Sequence, residues 1–220
     1  MYLYRIALIL NTKIGKPWLS NELEEFGESL SSFLSVDLVN PLISLIPADR
    51  AFSSLVLIFS SREIPELSLA MGSELALKGR KARIVDAKAI ITDVEVARSE
   101  ATSWSERCAS LELVTPYPFD GPSIPPIRGV LGSALDVWKS YTGEELRLGR
   151  AKVLRQDLKV IKTKEWRGLV GTLTVKGRGA GTAAYIAGLV GLGKWRSKGF
   201  GLANFLGDKG CERFERSENR

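Results

Sequence analysis

The sequence predicts an α+β protein made of two successive ferredoxin-like units, each with the element order β-α-β-β-α-β. Apolar runs of strand length alternate with segments whose apolar residues recur at helical spacing. The order of elements in the first half returns in the second half, which carries a glycine-rich loop near its end. With 220 residues, the chain is long enough for two small domains.

In the first half, a continuous apolar run over Tyr2–Leu10, interrupted only by Arg5, predicts a strand covered on one or both faces. A helix is expected from Asn21, because Asn21 and Glu24 have the spacing of a capping box. The remaining expected elements are strands at Leu42–Ile46 and Leu55–Phe59, a helix at Ile64–Lys78 and a strand at Ala82–Thr92.

The second half repeats this order less regularly. Its expected elements are a strand at Ser110–Thr115, a turn-rich connection at Pro116–Pro122, a helix at Ile127–Tyr141, a hairpin of Val153–Lys162 and Gly168–Lys176, a helix at Thr182–Leu192 and a strand at Phe200–Leu206. Residues 93–105 are the expected joint. The predicted organisation is therefore a first unit at residues 1–95, a second unit at 102–208 and a polar tail at 209–220.

Positive charge is concentrated near the C-terminus. From Arg150 to Arg220 there are 16 Lys and Arg against 6 Asp and Glu, whereas the preceding 149 residues hold 15 against 19. A basic third on an otherwise slightly acidic protein indicates a polyanionic partner, of which RNA or DNA is the expected kind. A generally solvated basic face is the alternative interpretation.

The chain has no histidine and only two cysteines, Cys108 and Cys211. Without a CxxC pair they cannot supply a zinc site, and this cysteine usage fits a reducing cytoplasm. Because histidine is the commonest acid and base near neutral pH, any catalysis here must use carboxylate, Lys, Tyr, Ser or positioning. The apolar stretch Ala183–Leu192 is too short to cross a bilayer, so no membrane partner is expected.

The most informative segment is Gly191–Gly201, in which paired glycines enclose Lys-Trp-Arg-Ser-Lys. Glycine permits close backbone approach, cations suit phosphates, and an indole offers a stacking surface for a base. We therefore assign RNA binding to Gly191, Gly193, Lys194, Trp195, Arg196, Ser197, Lys198, Gly199 and Gly201, with packing under the loop as the alternative for Trp195. From Gly188 the segment also fits GxxxxGK, but Trp195 replaces the Ser or Thr of a P-loop, so no nucleotide cofactor is expected.

Two further basic segments accompany this loop. Lys176 and Arg178 lie in a second glycine-containing turn, which suits either a phosphate contact or an ordinary strand-to-helix connection. Lys162, Lys164 and Arg167 crowd the predicted hairpin, where they would contact RNA or keep a sheet edge soluble.

Tandem ferredoxin-like units that end in a loop of the form GhGxxxxxGhG resemble the CRISPR-associated RAMP superfamily. Within it, the chain is most similar to the endoribonucleases that cut precursor CRISPR RNA at its repeats. The resemblance is carried by Gly191–Gly201 with the following Leu-Ala-Asn-Phe, by Ser110–Pro116 and by Gly168–Val175. It covers most of residues 102–206, while the first half agrees in element order alone.

The resemblance implies cleavage without metal or cofactor, in which the RNA 2′-OH attacks the adjacent phosphate and leaves a 2′,3′-cyclic phosphate and a 5′-OH. Many members use a histidine in or near the first helix, which this chain lacks. The family geometry then points to Lys13 and Lys16, in the loop before that helix, as the catalytic candidates. Precursor CRISPR RNA is the implied partner, and other CRISPR effector subunits or a second copy of the chain are further partners left open.

Two other functions remain open from the sequence. A noncatalytic RAMP subunit that holds the finished guide in an effector complex is favoured by the missing histidine. A general single-stranded RNA-binding module is the second, and affinity for a particular repeat would exclude it.

Overall fold

The computed structural model describes residues 1–12, 34, 38–48, 51–63, 65, 72–77 and 80–211. The chain divides into two compact units, one formed by Met1–Asp93 with Trp195–Phe200 and the other by Val94–Lys194 with Gly201–Arg220. Leu34 is helical, but the rest of the first predicted helix lies outside the described residues.

The first unit is organised around an antiparallel sheet. Its strands are β1 (Tyr2–Leu10), β2 (Val39–Pro47), β3 (Ser53–Ser61), β4 (Glu74–Leu77) and β5 (Arg80–Asp93). Among the described residues they lie in the order β2-β3-β1-β5-β4. Since β1 pairs with β3 on one side and β5 on the other, it occupies the protected position that its apolar run predicts.

One face of this sheet forms the hydrophobic core of the first unit. Alternate residues of β1 point into it, and the rings of Tyr4 and Phe59 stack with centroids 5.2 Å apart. Burial raises the pKa of the Tyr4 hydroxyl. The core comprises Tyr4, Ile6, Leu8, Leu10, Leu34, Ile43, Leu45, Leu55, Leu57, Phe59, Ala82 and Ile84.

The second unit contains an antiparallel sheet of β6 (Ala109–Phe119), β7 (Lys152–Lys162), β8 (Arg167–Lys176) and β9 (Ala203–Gly207). Its helices are α1 (Val94–Ser103), α2 (Ile127–Thr142) and α3 (Ala180–Val190). The strand order β7-β8-β6-β9 repeats the order β2-β3-β1-β5 of the first unit. The predicted tandem ferredoxin-like α+β fold is thereby confirmed.

Helix α3 is the buried centre of the second unit and packs against β6, β8, β9 and both other helices. The Thr182 hydroxyl donates to the carbonyl of Ala101 at 2.8 Å, and the Tyr185 hydroxyl donates to the carboxylate of Glu100. Burial, this hydrogen bond and the negative charge of Glu100 all raise the pKa of Tyr185. The Tyr185 ring also meets Phe205 edge-on, with centroids 5.3 Å apart.

A disulfide between Cys108 and Cys211 joins positions 103 residues apart. Cys108 precedes β6 and Cys211 follows β9, and Ser110 of β6 lies opposite Gly207 of β9. Adjacent strands therefore bring the two cysteines together. The bond departs from the reduced cysteines that a reducing cytoplasm would maintain, and spacing alone does not reveal that the two strands are neighbours.

The predicted helix Ile64–Lys78 is wrong near its end, where Glu74–Leu77 forms strand β4. Glu, Leu and Ala have high intrinsic helix propensities, but such propensities differ by less than about 1 kcal/mol per residue. Pairing of the segment with Arg80–Arg83 outweighs them. Ile64 and residues 66–71 lie outside the described part of the chain.

The turn-rich connection predicted from Pro116 is also wrong over its first four residues, because β6 continues to Phe119. Tyr117 lies opposite Leu169 and Phe119 opposite Arg167. The pairing register shifts between Leu113 and Tyr117, and such a bulge accommodates a proline that has no N–H to donate.

The expected joint at residues 93–105 is mostly helix α1. Its buried side chains, Val94, Ala97 and Ala101, are few and small, so the apolar pattern is faint in the sequence. In the described ranges, no helix has the length and apolar character that crossing a bilayer requires.

Candidate nucleic-acid interface

The two ends of the loop Gly191–Gly201 are joined by backbone hydrogen bonds in the second unit. The Leu192 N–H donates to the carbonyl of Gly201 at 2.8 Å, and the Gly201 N–H donates to Pro116 at 3.1 Å. Strand β6 therefore holds the base of the loop through Pro116, at the end of the Ser110–Pro116 motif.

Gly201 shows why the loop needs glycine. Its φ of +79° lies in the left-handed region, and a Cβ placed there would overlap the carbonyl oxygen of Leu192. The carbonyl carbon of Leu192 would lie only 2.9 Å from that Cβ. A side chain at this position would thus break the backbone contact that closes the loop.

The middle of the loop, Trp195–Phe200, belongs to the first unit. Arg196–Lys198 form a single 3₁₀ turn that lies against β2. Ser44 of β2 is fully buried, and its hydroxyl donates to the carbonyl of Gly199 at 3.2 Å. The loop is therefore a packed part of this unit, with a defined backbone.

Arg196 is buried, with 4% of its surface exposed, and its guanidinium donates to the carbonyl of Asn40 at 3.4 Å. The phosphate contact that the sequence suggests for Arg196 stays a prediction, and the structure adds a backbone partner for its guanidinium. The side chain therefore links the 3₁₀ turn of the loop to β2. A charged residue between glycines looks like a surface group in sequence, and no local signal distinguishes the two roles.

Other side chains of the loop are accessible. Lys194 is exposed, and Ser197 and Lys198 are partly exposed. The indole of Trp195 is 42% exposed, while one edge meets the ring of Phe200 with centroids 5.6 Å apart. Trp195 therefore packs against Phe200 on one side and leaves part of its indole exposed, and stacking on a base stays a prediction.

The β7–β8 hairpin brings Lys162 and Lys164 together at its exposed turn. The turn is held by Thr163, whose backbone N–H donates to the carbonyl of Trp166 at 2.9 Å. Arg167 is half-buried and donates to the carbonyl of Gly121 at 3.0 Å. The two lysines are thus available to a polyanion, whereas Arg167 also fastens the hairpin to the chain after β6.

The second glycine-containing turn has a structural role that its composition does not reveal. The Arg178 carbonyl accepts from Gly149 at 2.9 Å, and the Gly179 N–H donates to Ser105 at 2.8 Å. The Arg178 side chain is exposed and Lys176 is partly buried. The backbone is an ordinary strand-to-helix connection, and a phosphate contact by these cations stays a prediction.

Tyr117 and Ser133 lie beside the loop and were missed in the sequence. The Gly193 N–H donates to the Ser133 hydroxyl at 3.0 Å, and the Tyr117 ring lies directly over Gly193. Burial raises the pKa of Tyr117, Asp136 adds to that effect, and the hydrogen bond with Ser133 acts against it. The Tyr-Pro that follows the Thr-Pro motif is the available signal, but its two prolines favour a turn.

The catalytic candidates Lys13 and Lys16 lie outside the described residues, so their assignment stays a prediction. Within the described part of the chain, no group of three or more His, Cys, Asp or Glu side chains is placed to hold a metal ion.

The fold matches solved structures of CRISPR-associated proteins. A Cas6 substrate mimic complex aligns over 93% of this chain and 99% of that protein, with a TM-score of 0.71 and 17% identity. Cas6 from Thermus thermophilus aligns over 93% and 98%, with a TM-score of 0.62 and 16% identity. A RAMP protein binding different RNA substrates aligns over 92% and 99%, with a TM-score of 0.52 and 15% identity. Similarity at these identities shows the fold, and no protein-family model or curated protein matches the sequence.

Proposed function

We propose that this chain is a CRISPR repeat RNA-processing endoribonuclease of the RAMP superfamily, acting in the cytoplasm. The observation that carries the proposal is the fold shared with a Cas6 substrate mimic complex over 93% of the chain. The glycine-rich loop and its exposed cations give the shared fold a means of holding RNA. The two units are proposed as domains near residues 1–95 and 102–208.

RNA recognition is assigned to the accessible cations of two segments. Lys162 and Lys164 form an exposed pair on the β7–β8 hairpin, while Lys194 and Lys198 belong to the glycine loop. Lysines in exposed positions contact phosphates without reading sequence. Trp195 adds a surface on which an unpaired base stacks, a contact that contributes about 1–3 kcal/mol in single-strand binders.

The proposed reaction is a transesterification within the RNA. The 2′-oxygen attacks the adjacent phosphorus while its proton passes to water, the bond to the 5′-oxygen breaks, and that oxygen takes up a proton from a lysine ammonium group. The products are a 2′,3′-cyclic phosphate and a 5′-OH. We assign Lys13 and Lys16 to the leaving oxygen and to the developing charge. Alignment of the attacking group can itself lower the barrier by roughly 7–11 kcal/mol at the upper end.

One observation favours a second candidate function. The chain has no histidine, and histidine is the usual acid and base for such chemistry. A noncatalytic RAMP subunit that holds a finished guide RNA would need none.

Incubation with labelled repeat RNA in EDTA tests the proposal. Each RNA would be compared with copies that carry one 2′-deoxy substitution at a candidate cleavage site. A single cut in EDTA, abolished by one substitution and slowed by Lys13→Ala or Lys16→Ala, is the expected result. Tight binding without any cut would instead establish the guide-holding function, and equal affinity for a scrambled RNA would refute both.

The loop assignment has a separate test in the K194A/K198A double variant. We expect weaker RNA binding and a slope of log affinity against log salt reduced by about 1–2, since each lost phosphate contact removes roughly one unit. The matched control is K81A/K209A, which removes the same charge from exposed positions on β5 and after β9. Equal losses in both variants would show that only net charge matters, and the loop assignment would be wrong.

A further inference from the structure

Gly193, the residue before Lys194, is held by two side chains of the second unit. Its backbone N–H donates to the hydroxyl of Ser133 at 3.0 Å. The Tyr117 ring lies so close that a Cβ on Gly193 would be 2.8 Å from the ring carbon Cε2. The hydroxyls of Tyr117 and Ser133 are themselves joined by a hydrogen bond. A helix and a strand of the second unit therefore meet at this glycine.

The two side chains that meet at Gly193 are fixed by regular secondary structure. Ser133 lies in α2, and its hydroxyl also donates to the carbonyl of Val130 at 2.6 Å, one turn earlier in the helix. Tyr117 lies in β6, opposite Leu169 of β8. Groups carried by helices and strands hold their positions more precisely than groups carried by loops. The start of the glycine loop therefore takes its conformation from α2 and β6.

The contacts at Gly193 determine how the loop presents Lys194. Gly193 has a φ of +72°, in the left-handed region, and a glycine without such contacts moves readily between this region and others. Ser133 and Tyr117 remove that freedom, so the backbone that carries the exposed Lys194 side chain keeps one conformation. A cation on a backbone that is ordered before binding loses less conformational entropy when it contacts a phosphate.

We propose that Ser133 and Tyr117 are positioning residues, which hold Gly193 so that Lys194 reaches an RNA phosphate. The proposal rests on RNA binding by Lys194, which belongs to the proposed function. Neither positioning side chain is charged at neutral pH, so neither supplies the attraction for the RNA backbone itself. Both act through the direction that they give to the lysine.

A double-mutant cycle of RNA affinity tests this role. The ligand is repeat RNA with 2′-deoxy substitutions at the candidate cleavage sites, so that it stays intact during the measurement. S133A removes the acceptor of the Gly193 N–H and should weaken binding about threefold, at the low end of the coupling found between residues in contact. In the K194A background the same change should have almost no effect, because the lysine that Ser133 positions is then absent.

A second background separates positioning from a general structural effect. K162A/K164A removes the exposed lysines at the turn of the β7–β8 hairpin, and there S133A should again weaken binding about threefold. A merely structural role of Ser133 would give the same loss in every background, including K194A. Y117F keeps the ring against Gly193 and removes the hydroxyl, so it should repeat the pattern of S133A with a smaller loss.

S140A is the matched control. Ser140 also lies in α2 and donates to the carbonyl three residues earlier, that of Val137, at 2.7 Å. It lies seven residues after Ser133, which is about 10 Å along the helix axis. S140A should leave the RNA affinity unchanged. Circular dichroism should show that S133A folds like the wild type, since alanine is the stronger helix former.

The outcomes distinguish failure of the positioning role from failure of the proposed function. A wild type that binds no RNA, or a K194A variant with unchanged affinity, would overturn the loop assignment and the positioning role together. A loss in K194A without a loss in S133A would overturn the positioning role alone. So would an S133A loss of equal size in the wild-type and K194A backgrounds.

Discussion

Replacing Gly201 by alanine should destabilise the second unit severely. The left-handed backbone at this position costs a residue with a Cβ about 1–2 kcal/mol. The added Cβ would also overlap the carbonyl of Leu192, so the hydrogen bonds from Leu192 to Gly201 and from Gly201 to Pro116 must both lengthen or break. Each contributes about 1 kcal/mol net, which brings the expected loss to about 3–4 kcal/mol.

Gly121→Ala is the matched control. Gly121 has a φ of +87° in the same unit, but a Cβ there meets nothing within 4 Å. The control therefore carries the backbone cost of about 1–2 kcal/mol and no steric overlap. The difference between the two variants isolates the clash with Leu192.

Thermal unfolding followed by circular dichroism measures both variants. At about 2–4 °C per kcal/mol for a protein of this size, Gly201→Ala should lower Tm by roughly 6–16 °C and Gly121→Ala by roughly 2–8 °C. Equal shifts would refute the reasoning, because the loop would then tolerate a side chain where the backbone contact forbids one. A Gly201→Ala protein with normal Tm but lost RNA binding would also contradict it.

Two further predictions concern the second unit. Cys211→Ser should lower the free energy of unfolding by about 2–4 kcal/mol in denaturant titrations, because the long loop closed by the disulfide gains freedom when unfolded; reductant should reproduce the loss in the wild type and have no effect on the variant. Tyr185→Phe should alter the pH dependence of stability: the folded state raises the pKa of this hydroxyl, so the unfolded chain ionises first and wild-type stability falls as the pH rises above about 10. The variant should show a smaller fall over that range in pH-dependent unfolding, and an identical profile would show that folding does not raise the pKa of Tyr185.

Strands with strong apolar patterns could be predicted closely from the sequence. The run Tyr2–Leu10 matches β1 residue for residue, and the hairpin of β7 and β8 differs from its prediction by one residue at the start of each strand. In these segments local preference and tertiary burial act in the same direction, so a pattern seen in sequence survives folding.

The failures occur where a distant partner outweighs local preference. Glu74–Leu77 consists of helix-favouring residues, yet its pairing with β5 makes it a strand. Pro116 suggests a turn, yet a bulge keeps it within β6. The sequence of each segment does not show which strand it will pair with, so its composition alone could not have identified the secondary structure it adopts.

The candidate site was predictable in outline but not in detail. The glycine spacing located the loop, and the exposure of Lys194 agrees with an outward role. The burial of Arg196 against Asn40 depends on β2, about 150 residues earlier in the chain. Tyr117 was overlooked for a related reason, since its position beside Gly193 arises from the extension of β6.

The Cys108–Cys211 bond also has a mechanical consequence. It makes the chain between the two cysteines a covalent ring that contains every strand of the second sheet and helices α2 and α3. When the protein is pulled by its ends, the intact bond keeps the chain between the two cysteines, which are 103 residues apart, from adding to the extended length. Reducing the bond releases about 350 Å of contour length at roughly 3.4 Å per residue. An optical-tweezers trace would therefore register the redox state of a single molecule as a change in length.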